Sequence, residues 1–127
     1  MGYRSEVEIA VYGEPEVFDA FMASMKLIEH RVFTDWGSET FTYHDIKHHD
    51  GMLRTKVMSF AVSGVKWYES YDDIIAWEKD FLPKAVDAGL NWEMMRVGEE
   101  SDDVEHTMGG DDTQYLLYTS TSIERNF

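Results

Sequence analysis

The sequence predicts one α+β domain, a mainly antiparallel sheet with two helices packed on one face. Three observations lead there. Residues 14–29 and 68–89 repeat apolar side chains at helical spacing. Most other stretches alternate apolar and polar residues, or carry the β-branched and aromatic side chains that suit a pleated surface. The joins between those stretches are short and turn-rich, which favours hairpins over long crossovers. The 127 residues make one domain with a single core, and a hydrophobic content of 43% argues against disorder.

Residues 3–12 set Val7, Ile9 and Val11 on one side and Glu6 and Glu8 on the other, a half-buried strand closed by Gly13. In residues 14–29, Pro15 suits a first helical turn and Glu14 and Glu16 suit its positive end. Phe18, Phe21, Met22, Met25 and Ile28 form the buried stripe. A short strand is expected at residues 32–36. Residues 39–46 and 52–67 read as a hairpin around Asp50-Gly51, with a bulge or bend at Gly64.

The second helix, residues 68–89, opens on a Ser70…Asp73 pair resembling a capping box. It buries Ile74, Trp77 and Phe81, and a kink or early break is expected at Pro83. Residues 90–97 form a strand, residues 104–108 a short one, and residues 114–123 a last strand carrying Tyr115, Leu117, Thr119, Thr121 and Ile123 on one face. The order β-α-(β)-β-β-α-β-(β)-β fits a ferredoxin-like layout.

The chain has no cysteine, which excludes disulfides, thiolate metal sites and a Cys nucleophile. No apolar run nears the ~20 residues of a membrane span, and the acid-bearing N-terminus does not read as a signal peptide, so a cytoplasmic protein without membrane contact is expected. The net charge of −14 is unevenly placed. Residues 1–67 carry 7 bases and 10 acids, residues 68–127 only 4 bases and 15 acids. Such a second half does not suit direct contact with nucleic acid, whose phosphates need Lys and Arg. It suits solubility, or attraction to a basic partner. The densest stretch, residues 98–112, holds seven acids and no base.

The opening Met1-Gly2-Tyr3-Arg4-Ser5-Glu6-Val7 resembles the start of a group of small bacteriophage proteins. Arg96-Val97-Gly98-Glu99, with Asp102-Asp103-Val104-Glu105 and a following Gly, is similar to their second half. The resemblance implies a phage accessory protein with a ferredoxin-like α+β fold. It implies no established activity, but it favours one class, proteins that a phage uses to bind and block a host defence or nucleic-acid-handling system. It assigns no activity to any residue.

Three constellations bear on function. Acids spread over a rigid edge can stand in for phosphates and occupy the Lys and Arg of a nucleic-acid-handling protein. Glu99, Asp102, Asp103, Glu105 and Asp111 are the expected partner contacts, with Asp72, Asp73, Glu78, Asp80 and Asp87 of the second helix on the same face and Tyr68, Tyr71 and Trp92 as aromatic anchors. Next, His44, His48, His49 and Asp50 are ligand types that divalent metals accept, though on a strand they point to both sides. The same residues also read as a polar hairpin tip. The third is a pocket between sheet and helices for a nucleotide or signal molecule, for which Arg4, Arg54, Lys56 and Lys66 of the first half are the only grouped bases.

No Gly-rich phosphate loop or nucleophile elbow is present, and no cofactor is expected. The favoured expectation is a non-enzymatic binder of a basic host protein. A metal-binding module or hydrolase and a nucleotide binder are the alternatives. The oligomeric state stays open.

Overall fold

The computed structural model describes residues 3–47, 49–100, 102–119 and 123–127. Its elements are β1 (Ser5–Gly13), α1 (Pro15–Leu27), α2 (Arg31–Asp35), a 3₁₀ turn (Ser38–Thr40), β2 (Phe41–Lys47) and β3 (Leu53–Val65). Then come α3 (Asp72–Ile75), a π-helical segment (Ala76–Phe81), α4 (Leu82–Asp87), β4 (Asn91–Val97), β5 (Val104–Gly109), β6 (Leu117–Thr119) and β7 (Ile123–Arg125). The first five strands form one sheet in the order β2-β3-β1-β4-β5, with all neighbours antiparallel. The fold is thus α+β.

Alternation along β1 builds the two faces. Val7, Ile9 and Val11 join Met58 and Phe60 of β3 and Met94 of β4 under the helices. The apolar stripe of α1 meets them there, with Phe18, Phe21, Met22 and Met25 all buried, while Ile28 falls beyond the helix and is exposed. Trp77 and Phe81 pack edge to face with ring centres 5.2 Å apart. Each large apolar side chain so buried contributes roughly 1.5–3 kcal/mol. Three helical elements share this face rather than two, because α2 adds Val32.

Several expectations need correction. Residues 32–36 were expected as a strand, but α2 covers most of them. His30 caps it, with Nδ1 accepting from the Val32 N–H at 3.2 Å, and Arg31 pairs with Asp35 one turn on at 2.6 Å. Five residues are too few for periodicity to tell strand from helix. The Ser70…Asp73 box does not form, since Tyr71 is the N-cap of α3 and gives no side-chain bond. The disturbance expected at Pro83 appears as the π segment just before it. A proline has no N–H for the preceding turn and crowds its carbonyls, and a local i→i+5 widening absorbs that conflict without ending the helix. At Gly64 (φ 66°) the β1–β3 register shifts, as the bulge expectation requires.

The largest departure is residues 114–123. They do not extend the main sheet as a last strand. Tyr115 takes a left-handed φ of 56°, breaking the run, and β6 and β7 pair as a separate hairpin. Thr121 lies outside the described residues. Leu116 and Leu117 join Ala10, Tyr12, Val57 and Met95 in a second apolar cluster on the sheet face opposite the helices, with Ile123 and Phe127 against it.

Candidate functional site

The acidic stretch begins as the tight connection between β4 and β5. The Gly98 N–H donates to the Asp103 carbonyl at 2.8 Å, and the Asp103 N–H to the Glu100 carbonyl at 3.0 Å. Arg96 holds this turn to the sheet. Strand register places Arg96 opposite Glu105, and its side chain is only 12% exposed. Its Nη1 and Nη2 grip Asp103 at 3.1 and 2.6 Å, while Nη2 and Nε reach Glu105 at 2.6 and 3.1 Å. The Ser5 hydroxyl takes a further bond from Nη1 at 3.0 Å.

The N-terminal segment completes the clamp. The Tyr3 hydroxyl donates to Asp103 at 2.6 Å and accepts from the Glu100 N–H at 3.1 Å, and the Arg4 N–H donates to Glu99 at 2.9 Å. Arg96 first, then Tyr3, holds the Asp103 carboxyl below its usual range.

Around Arg96 acids remain in surplus, with Lys79 the other base that the Glu78 carboxyl feels. Burial pushes the Glu78 carboxyl up, and the neighbouring charges of Glu69 and Glu105 push it further. Glu99, Glu100, Asp102 and Glu105 are all exposed. Of the expected contacts, Glu99, Asp102, Asp103 and Glu105 therefore gather at one end of the β4–β5 hairpin. Asp111 does not. It follows the far end of β5, about 17 Å away at roughly 3.4 Å per strand residue.

The second helix also divides its acids. Glu78 joins the patch, whereas Asp80 is bound at 2.9 Å by both Lys84 and His30. Asp72 and Asp73 act on Arg31. The single acidic face expected from the sequence is thus one patch with outliers. Of the aromatic anchors, Tyr71 is exposed and packs edge to face on Tyr68, whose hydroxyl meets the Tyr3 backbone. Trp92 packs against the main core.

Two members of the imidazole cluster, His44 and Asp50, are engaged separately. The His44 Nε2 lies 2.9 Å from the Thr42 hydroxyl, and its ring packs on Phe127. Burial, then Arg125, lowers its pKa. Asp50 accepts from the Met52 N–H at 3.0 Å as a local turn. His48 lies outside the described residues, and His49 is exposed. Among the described residues, no three His, Cys, Asp or Glu side chains are gathered to hold a metal ion. Of the grouped bases, Arg4 donates to the Gly64 carbonyl at 2.7 Å and Lys56 pairs with Asp19 at 2.9 Å.

Sequence reasoning missed a polar set on the second sheet face. Glu93, with 0% exposure, accepts from the Tyr12 hydroxyl at 2.5 Å and from the N–H groups of Leu116 and Leu117 at 3.0 and 3.1 Å. His106 Nε2 is 3.5 Å from Glu93, an ion-pair distance without hydrogen-bond geometry. Buried Glu8 accepts from the Ser59 hydroxyl at 2.9 Å, and Glu6 accepts from the Ile123 N–H at 2.9 Å. These carboxylates fasten the C-terminal segment to the sheet. The signal available was Glu93 itself, which shares strand parity with Met95 and so breaks an apolar face.

The titrations have opposite signs. Glu8 and Glu78 sit above the usual carboxylate range, chiefly through burial, so the fold takes up their protons more readily than the unfolded chain. Their effect stabilises the fold as pH drops from neutral towards the unfolded value of about 4.3. Asp103 and Asp80 sit below their usual range, held by Arg96 and Lys84 respectively, so their contribution is lost below about pH 3.9. His44, held below its usual range, opposes that rise as pH falls through about 6.5, so the melting temperature is expected to rise below that point towards about pH 4.3 and then to fall. A series of thermal melts checks this, and a steady fall from neutrality downward contradicts it.

No protein-family model, curated protein or solved structure matches this chain.

Proposed function

We propose that this protein is a non-enzymatic binder whose β4–β5 turn docks on a basic, nucleic-acid-handling protein. The observation that carries the reading is the surplus of carboxylates around Arg96. Glu99, Glu100, Asp102 and Glu105 lie on or beside the turn that Arg96 holds through Asp103 and Glu105, and Glu78 is near enough to feel Glu69 and Glu105, with Lys79 opposing them. Crowding like charges costs stability, and a fold that keeps them crowded gains if a cationic surface meets them. The Arg96 and Tyr3 clamp gives these charges fixed positions, which a phosphate substitute needs and a loose acidic tail lacks.

The resemblance of the opening segment to small phage proteins supports a partner in the cytoplasm of a bacterial host as part of this proposal. The succession β1-α1-β2-β3-helix-β4, with β1 between β3 and β4, supports a ferredoxin-like assignment, to which β5 and the C-terminal hairpin are additions.

The test uses charges that do not hold the turn. Glu100 and Asp102 are exposed and make no side-chain bond among the described residues. The double variant Glu100→Lys with Asp102→Lys is expected to weaken capture of the partner from bacterial lysate by about tenfold or more, with an unchanged melting temperature. Capture by the parent chain is expected to fail at high salt. Equal capture by both proteins defeats the reading.

A further inference from the structure

A second site lies at the other end of the sheet, where β1 leaves and β3 and β4 enter. A cleft of about 500 Å³ opens there, walled by Glu14, Arg54, Thr55, Asn91, Asp112 and Gln114. Ligand pockets are typically about 300–1,000 Å³. The acidic turn of the proposed docking surface adjoins the opposite ends of β4 and β5, so the two sites are separate.

The walls carry unused donors. Thr55 is 4% exposed, and its hydroxyl has no hydrogen-bond partner among the described residues. Asn91 is 6% exposed. Its Oδ1 accepts from the Asp112 N–H at 2.9 Å, which leaves the Nδ2 donors without a partner among the described residues. Gly110 allows this arrangement. It has a φ of 108°, and a Cβ there would strike the Asn91 side chain. Arg54 is exposed and has no ion-pair partner among the described residues.

The first turn of α1 adds to the set. Pro15 has no N–H and Glu14 supplies no side-chain cap. The Glu16 and Val17 N–H groups therefore have no capping side chain among the described residues at the positive end of a 13-residue helix, and Val17 lines the cleft. These donors face the cleft, where a ligand's acceptor oxygens can replace water.

The same cleft presents two carboxylates, Glu14 and Asp112, neither ion-paired among the described residues. A bare cation would leave the donors of Arg54, Thr55 and Asn91 idle. A polyanion would be repelled by these carboxylates and by a chain of net charge −14. A molecule with one anionic and one cationic group matches both sets. We infer that the cleft binds a free zwitterionic amino acid, its carboxylate toward Arg54, Thr55, Asn91 and the α1 N-terminus, its ammonium toward Glu14 and Asp112.

The test is an NMR titration of the full chain with glycine, L-alanine, L-glutamine, L-lysine and L-glutamate, each to about 10 mM, near the weak end of small-ligand affinity. Saturable shifts at the Gly13, Val17, Asn91 and Gln114 amides are expected for at least one of them. N-acetylation of that amino acid, or amidation of its carboxyl, is expected to weaken binding by about tenfold or more, since each removes one charge. Arg54→Gln, at an exposed position, is expected to do the same while preserving the spectrum elsewhere. No saturable shift with any of the five, equal binding of the acetylated form, or unchanged affinity in Arg54→Gln overturns the inference. None of these results bears on the Glu100 and Asp102 experiment.

Discussion

Glu93→Gln is expected to remove about 3 kcal/mol of stability and to loosen the C-terminal hairpin from the sheet. Glu93 is fully buried and accepts three hydrogen bonds, from Tyr12, Leu116 and Leu117. Hydrogen bonds to a charged group contribute about 1.5–3 kcal/mol each, and a buried donor left unpaired costs about 1–3 kcal/mol. Gln keeps the shape but turns an NH₂ toward groups that are themselves donors. Tyr12 cannot compensate, because its hydroxyl already accepts from the Gln114 N–H at 2.8 Å.

Urea denaturation with hydrogen exchange at Leu116 and Leu117 measures both effects. A loss under about 1 kcal/mol with unchanged exchange at those amides would mean that apolar packing alone holds the hairpin. Tyr12→Phe removes one bond of the three and is expected to cost less, about 1–2 kcal/mol.

The second large effect is expected at Arg96. Arg96→Met keeps most of the stem volume and removes the one positive charge that, among the described residues, pairs with Asp103 and Glu105. The expected loss is about 1–2 kcal/mol, discounted because both carboxylates keep contact with solvent. What distinguishes this variant is its response to salt. Without Arg96, the acids at this end repel one another unopposed, so adding salt to about 0.5 M should restore part of the lost stability as screening shortens to a few Å. Glu93→Gln should show no such rescue, since its deficit is an unpaired donor in a dry interior. Equal salt dependence in the two variants would count against the clamp.

How far the sequence could be read varied with the length of the pattern. The α1 stripe spans several turns, and its buried side chains followed from spacing alone. Asp50-Gly51 announced the β2–β3 hairpin because few residues take the backbone of so tight a turn. Residues 32–36 were too short to show a period, and the His30 cap that decides for helix depends on local geometry. Residues 114–123 alternate well enough for a strand, yet Glu93 lies more than twenty positions upstream and claims the Leu116 and Leu117 N–H groups.

The acids divide the same way. Their number and their crowding into the second half are properties of the sequence, and the patch beside Arg96 follows from the neighbouring positions of β4 and β5. The separation of Asp111 from Asp103 follows from strand direction, since β5, about 17 Å long at roughly 3.4 Å per residue, lies between them. Asp80 was lost to the patch because His30, fifty residues earlier, folds against it.

By itself, the sequence determined the α+β class, the helix-facing core and an excess of negative charge, because periodicity and composition are local quantities that survive without a partner. Only the tertiary structure decided which cation neutralises which acid, that the second face of the sheet is covered, and that unused donors meet unpaired carboxylates in one cleft. Those outcomes join residues far apart along the chain, and chain order carries no distance information until the backbone closes on itself.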